Sequence, residues 1–201
     1  MKINANVYDI RKYNPISSDQ FFLDANSLVW LTYSKATLSA KSYQVTHYPQ
    51  FYSRILKTNK NGILLANSTI AEALHVIERI ERDLTKLKYK LTDKIHTKEF
   101  RKNYYKEWDD CLKELQLVYD FSKKIKCRET KIDNDLNNFV MAQIKLFPVD
   151  SYDCYLVGTM KREKIINVIT DDMDFASFEG INVYTANNTL LDIAREQKKL
   201  I

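Results

Sequence analysis

"SYDCYLVGTMKREKIINVITDDMDF" occupies residues 151–175. Residues 151–164 read as a helix with Asp153 in its first turn, and "IINVIT" at 165–170 reads as a buried strand. The strand runs into three aspartates, Asp171, Asp172 and Asp174, and then meets Phe175. Such crowding of like charge is either a polar turn or one wall of a metal site. Beyond it, "INVYTA" (181–186) reads as a final strand and "TLLDIAREQKKL" (189–200) as a closing helix, with Thr189 and Asp192 fitting a capping box. Upstream, "FFLDA" (21–25) and "ILLAN" (63–67) read as two more short buried strands. Strands alternating with helices predict a three-layer α/β/α fold around a mainly parallel sheet. In such folds ligands gather beyond the C-terminal ends of the strands.

The rest of the chain supports this plan. Residues 1–19 are polar and turn-rich and read as a lead-in. Residues 26–34 read as a turn and a helical segment, and residues 48–62 as a helix that stops at Gly62. Apolar residues 70, 74, 77, 84, 87 and 91 repeat at helical spacing, and so do 100, 104, 108, 111, 115 and 118. They predict an antiparallel helical pair joined near 92–97. Its exposed faces carry Lys86, Lys88, Lys90, Lys94, Lys98, Arg101 and Lys102, which fit a solvated surface, a nucleic-acid track or a partner face. Residues 122–134 are charged and take no clear assignment, and residues 136–147 read as a helix ending before Pro148. No domain boundary is visible, so residues 1–201 are expected to form a single domain with a helical elaboration at about 78–133.

Composition narrows the function. The chain of 201 residues carries a net charge of +5 and is 45% hydrophobic and 28% charged. Residues 78–133 hold 16 Lys and Arg against 12 Asp and Glu, so most of the excess lies in the middle. That balance is compatible with nucleic acid. Three cysteines (111, 127, 154) and three scattered histidines (47, 75, 96) suggest neither a disulfide framework nor a zinc site, and a reducing cytoplasm fits. Only three glycines occur, which excludes a Gly-rich phosphate loop. No membrane span and no secretory signal are expected from the pattern of apolar residues.

Four acids share one kind of place, a strand exit or a first helical turn. Asp24 follows "FFL" and precedes "AN". Glu72 lies in "STIAE", where Thr69 and Glu72 also fit a capping box. Asp153 follows Asp150 at the spacing of another box, and Asp172 lies in the acidic turn with Asp174 close by. Each has a bland reading, as a turn residue or a cap. Together they suit a hard cation, Mg²⁺ or Mn²⁺, which prefers oxygen ligands. Asn26 is placed to orient Asp24 or hold water.

"FFLDANSLVWL", "NSTIAEAL", "SYDCYLVGTM" and "VITDDMDFASFEGINVYT" resemble, in order, the signature segments of the PIN domain nuclease family. The resemblance covers roughly residues 20–80 and 135–190. It implies a PIN-like fold with Asp24, Glu72, Asp153 and Asp172 in the four acidic positions, catalytic and metal-binding. It makes Asp174 an auxiliary metal acid, Asn26 and Thr170 supporting polar residues, and Asp171 a variable position. It implies Mg²⁺- or Mn²⁺-dependent cleavage of RNA, less often DNA, in the cytoplasm. Many members are toxins paired with an antitoxin and small members are commonly homodimers, so both partners join RNA as expectations. Glu72 and Asp153 are 81 residues apart, longer than in compact toxins, which suits a larger relative. The non-enzymatic alternative is an inactive PIN-like module that binds RNA or a protein partner. An aspartyl phosphatase is the weaker enzymatic rival, since it would have D-x-D where this chain has Asp24-Ala25-Asn26.

Overall fold

A computed structural model describes residues 1–201. Its six strands are β1 (Asn6–Asp9), β2 (Phe21–Leu23), β3 (Ile63–Ala66), β4 (Lys126–Arg128), β5 (Asn167–Ile169) and β6 (Asn182–Thr185). They form one sheet in the order β1-β6-β5-β2-β3-β4, and every pairing is parallel. Eight α-helices accompany it: α1 (Ala25–Thr32), α2 (Ser42–Thr58), α3 (Asn67–Lys88), α4 (Thr97–Asn103), α5 (Tyr105–Ser122), α6 (Asn134–Leu146), α7 (Ser151–Arg162) and α8 (Asn188–Glu196).

Successive strand residues point to opposite faces of the sheet. Phe21, Leu23, Ile63, Leu65 and Ile169 pack with Leu28 of α1, Phe51 and Ile55 of α2 and Ile77 of α3. Phe22, Leu64, Val168 and Val183 pack on the other side with Val140 of α6, Val157 and Met160 of α7 and Leu190 of α8. The two apolar layers hold 20 and 22 buried residues, so the sheet is covered almost equally on both faces. This is the three-layer α/β/α arrangement. It explains why "FFL" and "ILLA" are apolar without alternation: helices cover both faces of these strands.

Both sheet edges escaped the sequence reading. The lead-in contains β1, and the unassigned charged stretch contains β4. β1 pairs with β6, and on its outer side the Val7 N–H reaches the Lys199 carbonyl at 2.9 Å. β4 reads Lys-Cys-Arg and is largely exposed, held by its ladder to β3. β4 is specified by backbone pairing more than by apolar burial, whereas the lead-in does alternate, with Ile3, Ala5 and Val7 buried between more exposed neighbours.

The central helical pair is three helices. Phe100 lies on the short α4, and the stripe from Trp108 to Val118 lies on α5. α5 runs antiparallel to α3: Lys88 meets Glu107 at one end, while Glu81 and Glu114 both reach residues 33–35 further along. Ile95, Phe100 and Cys111 form a small apolar cluster of their own there. The closing helix is capped by Asn187, whose side chain accepts the Leu190 N–H at 3.3 Å. The Thr189–Asp192 box is therefore not formed, and Asp192 pairs with Arg195 instead. No helix is long and apolar enough to cross a membrane.

The chain path singles out one place in the sheet. From β2 the chain moves outward to β3 and β4. Helices α6 and α7 then return it to β5, on the opposite side of β2, and it continues outward to β6. The direction of winding therefore reverses between β2 and β5, and such a switch point leaves a crevice at the C-terminal ends of the two strands.

Candidate metal centre

Asp24 and Thr170 directly follow β2 and β5 on either side of this switch point. Asp24 is the N-cap residue of α1, yet its side chain makes no capping bond to the helix. Its carboxylate accepts the Thr170 hydroxyl at 3.0 Å. The same Thr170 oxygen accepts the Asp172 N–H at 2.9 Å, and Asp172 in turn accepts the Asp174 N–H at 2.8 Å. Thr170 is fully buried and ties the end of β2 to the acidic turn after β5.

The other two acids arrive on helices. α3 starts at Asn67, directly after β3, with Ala66 as its N-cap. Thr69 is thus already inside the helix and Glu72 lies in the second turn, so the expected Thr69–Glu72 capping box is absent. α7 leads into β5 and packs along the sheet, which brings its N-terminus to the strands' C-terminal edge. Asp150 caps α7 by accepting the Asp153 N–H at 3.0 Å, while the Asp153 carboxyl makes no return bond and is buried. Both caps that could have explained these acids blandly leave their carboxyls free.

Burial and mutual repulsion oppose ionisation of Asp24, Glu72, Asp153 and Asp174. Asp24 is pushed up to about 7, chiefly by burial, with Asp172 and Asp150 adding to the rise while the Thr170 hydrogen bond opposes it. Glu72 is pushed up to about 8 by burial and by the charges of Asp24, Asp150 and Asp172, against which Arg79 acts weakly. Asp153 is pushed up to about 10 by burial and by Asp24, Asp150, Asp172 and Glu72. Asp174 is raised by burial and by Asp172 and Asp150. None of Asp24, Glu72, Asp153, Asp172 or Asp174 has an ion pair with a cationic side chain. A set of buried and half-buried oxygen donors without a counter-cation matches the chemistry of a hard divalent ion. The spacing is looser than a finished cage: no three histidine, cysteine, aspartate or glutamate side chains stand close enough to hold an ion together.

A cleft of about 550 Å³ opens beside the acids, with Asn26, Trp30, Gln44, Arg79, Asp171 and Asp172 among its walls. Asn26 lines this cleft and makes no hydrogen bond to Asp24. Asp171 has a separate task. It accepts Tyr43 Oη, Gln44 Nε2 and Tyr48 Oη, each at 2.7 Å, which fastens α2 to the acidic turn. Asp150 is the acid that sequence reasoning assigned only to capping. It caps α7 and also acts on the ionisation of Asp24, Glu72, Asp153 and Asp174. Its three-residue spacing from Asp153 was the available signal. Comparison of the chain with protein-family models and with curated proteins finds no match.

Proposed function

We propose that this chain is a PIN-like ribonuclease that hydrolyses RNA phosphodiester bonds with Mg²⁺ or Mn²⁺. The observation that carries the reading is the convergence of Asp24, Glu72, Asp153 and Asp172, from four separate segments, beside one switch point without a counter-cation. In this reading those four residues hold the ion, with Asp174 as an auxiliary acid. The bound ion supplies an activated water and offsets charge developing on the scissile phosphate. Thr170 holds the Asp24 carboxyl and the Asp172 backbone in fixed relation through one hydroxyl. Asp171 keeps the acidic turn against α2. Arg79, on the cleft wall, is placed to attract the anionic backbone. Water adds to phosphorus as the 3′-oxygen leaves, which gives a 5′-phosphate and a 3′-hydroxyl.

One observation favours a second reading. The acids do not close into a ligand cage by themselves, which suits a metal-free module that binds RNA or a protein partner. Cleavage of a mixed RNA pool separates the two. The purified protein should cut with Mg²⁺ or Mn²⁺ and leave the stated ends, and folded Asp172→Asn should not. Protein that binds RNA yet never cuts it with either ion overturns the nuclease reading.

A further inference from the structure

A second polar cavity, of about 510 Å³, lies on the outer side of α2. Arg11, His47, Gln50, Ser53, Arg54 and Lys57 line it, with no apolar and no acidic side chain among them. Residues 47, 50, 54 and 57 form one stripe at helical spacing, while Tyr48, Phe51 and Ile55 of the same helix face the core. Arg54 is held by two backbone carbonyls, those of Ile10 and Tyr13. Carbonyls orient the guanidinium but do not neutralise it. His47 and Lys57 make no ion pair and no side-chain hydrogen bond. Arg11 is the exception, bound through two nitrogens to Asp9.

This groove and the acid cleft share no wall residue, but α2 contributes to both. Gln44, one turn before His47, lines that cleft and bonds Asp171. From Gln44 to Lys57 the helix advances about 20 Å, at about 1.5 Å per residue. Two of the seven central cations named above are matched by acids, while Lys86, Lys90, Lys94, Lys98 and Lys102 have no ion pair. Lys88 is matched by Glu107 at 2.6 Å and Arg101 by Glu78 at 2.7 Å.

We propose that the α2 groove binds the phosphodiester backbone of the nucleic acid whose scissile bond lies at the acid cluster. The assignment rests on the nuclease reading of that cluster. Its chemistry is phosphate contact, because apart from the His47 imidazole the walls present cationic and hydroxyl or amide groups and no Phe, Tyr or Trp ring.

The test is fluorescence anisotropy with a short labelled single-stranded RNA, and DNA of the same sequence, in EDTA so that nothing is cut. Arg54 is left intact because it also fastens residues 10 and 13. The double variant His47→Gln/Lys57→Gln should bind both probes about tenfold more weakly, as for removal of one charge-assisted hydrogen bond. Its log-affinity against log-salt slope should be shallower by about 0.7 for each phosphate no longer neutralised. Lys60→Gln, outside the groove, should bind as wild type does. Unchanged affinity and slope in the double variant overturn the proposal, as does a wild type that binds neither probe. Lys57-dependent binding to anionic phosphatidylserine vesicles instead of nucleic acid also overturns it. Wild type that binds through the groove but never cleaves leaves the groove standing and removes the nuclease reading. Cleavage by a double variant of undiminished affinity does the reverse.

Discussion

Replacing Asp24 by Asn should change the sign of its effect on stability as pH rises. The Asp24 carboxyl is buried and pushed from 3.8 to about 7. A carboxyl raised on folding contributes its full stability below the unfolded value and loses it as pH rises through the folded value. At about 1.36 kcal/mol per unit, that loss reaches on the order of 4 kcal/mol by pH 8 and is under half as large at pH 5. Asn does not titrate, so the variant escapes this loss. Its amide oxygen can still accept the Thr170 hydroxyl, but its NH₂ puts a donor where the ionised carboxyl presents only acceptor oxygens. That mismatch costs about 1–3 kcal/mol at every pH. In EDTA, Asp24→Asn should therefore match or fall below wild type at pH 5 and exceed it at pH 8. The difference between the two pH values should be roughly 3 kcal/mol. Urea unfolding at both pH values measures it. Mn²⁺ should stabilise wild type at pH 8 by mass action and the variant less, since one proposed ligand is gone. A stability difference that is equal at pH 5 and pH 8 would defeat this expectation, because it would mean that the buried carboxyl carries no penalty.

Two further outcomes are expected. Thr170→Val removes the hydroxyl shared by Asp24 and the Asp172 N–H, so Mn²⁺ affinity by titration should fall about 10–100-fold, with Thr170→Ser restoring most of it; unchanged affinity in the folded valine variant would remove Thr170 from the positioning role. Tyr48→Phe strips one donor from Asp171 and leaves the Ala186 N–H without the Tyr48 oxygen it meets at 3.2 Å, which should cost about 1–3 kcal/mol in urea unfolding. No measurable loss would show that the Tyr48 hydroxyl does not hold α2 to the acidic turn.

Much of the fold was legible from local pattern. Apolar runs at 21–23, 63–66 and 167–169 marked the inner strands, because a strand covered on both faces has no reason to alternate. The helical stripes marked α3 and α5 for the corresponding reason. β1 and β4 were missed. β4 is polar and is a strand because the edge of β3 lies beside it, whereas β1 carries a period-two signal in Ile3, Ala5 and Val7 that the polar residues between them obscured. Helix starts were misjudged at Thr69 and Thr189, where capping motifs were present but the preceding residues were already in position to cap or continue the helix.

The candidate site divides in the same way. Local pattern alone marks which residues stand at strand exits and helix starts, and hence that Asp24, Glu72, Asp153 and Asp172 are worth considering together. Their common neighbourhood is a product of the tertiary fold, because β5 returns to the far side of β2 and carries the acidic turn back to Asp24. Folding also separates neighbours that look alike in sequence. Both line the cleft, but Asp171 is bound by three side chains of α2, while the Asp172 carboxyl accepts only the Asp174 N–H. The difference is one of range. Strand and helix preference arise from contacts a few residues apart, whereas the raised carboxyls arise from burial and from charges that lie far off along the chain and close in space.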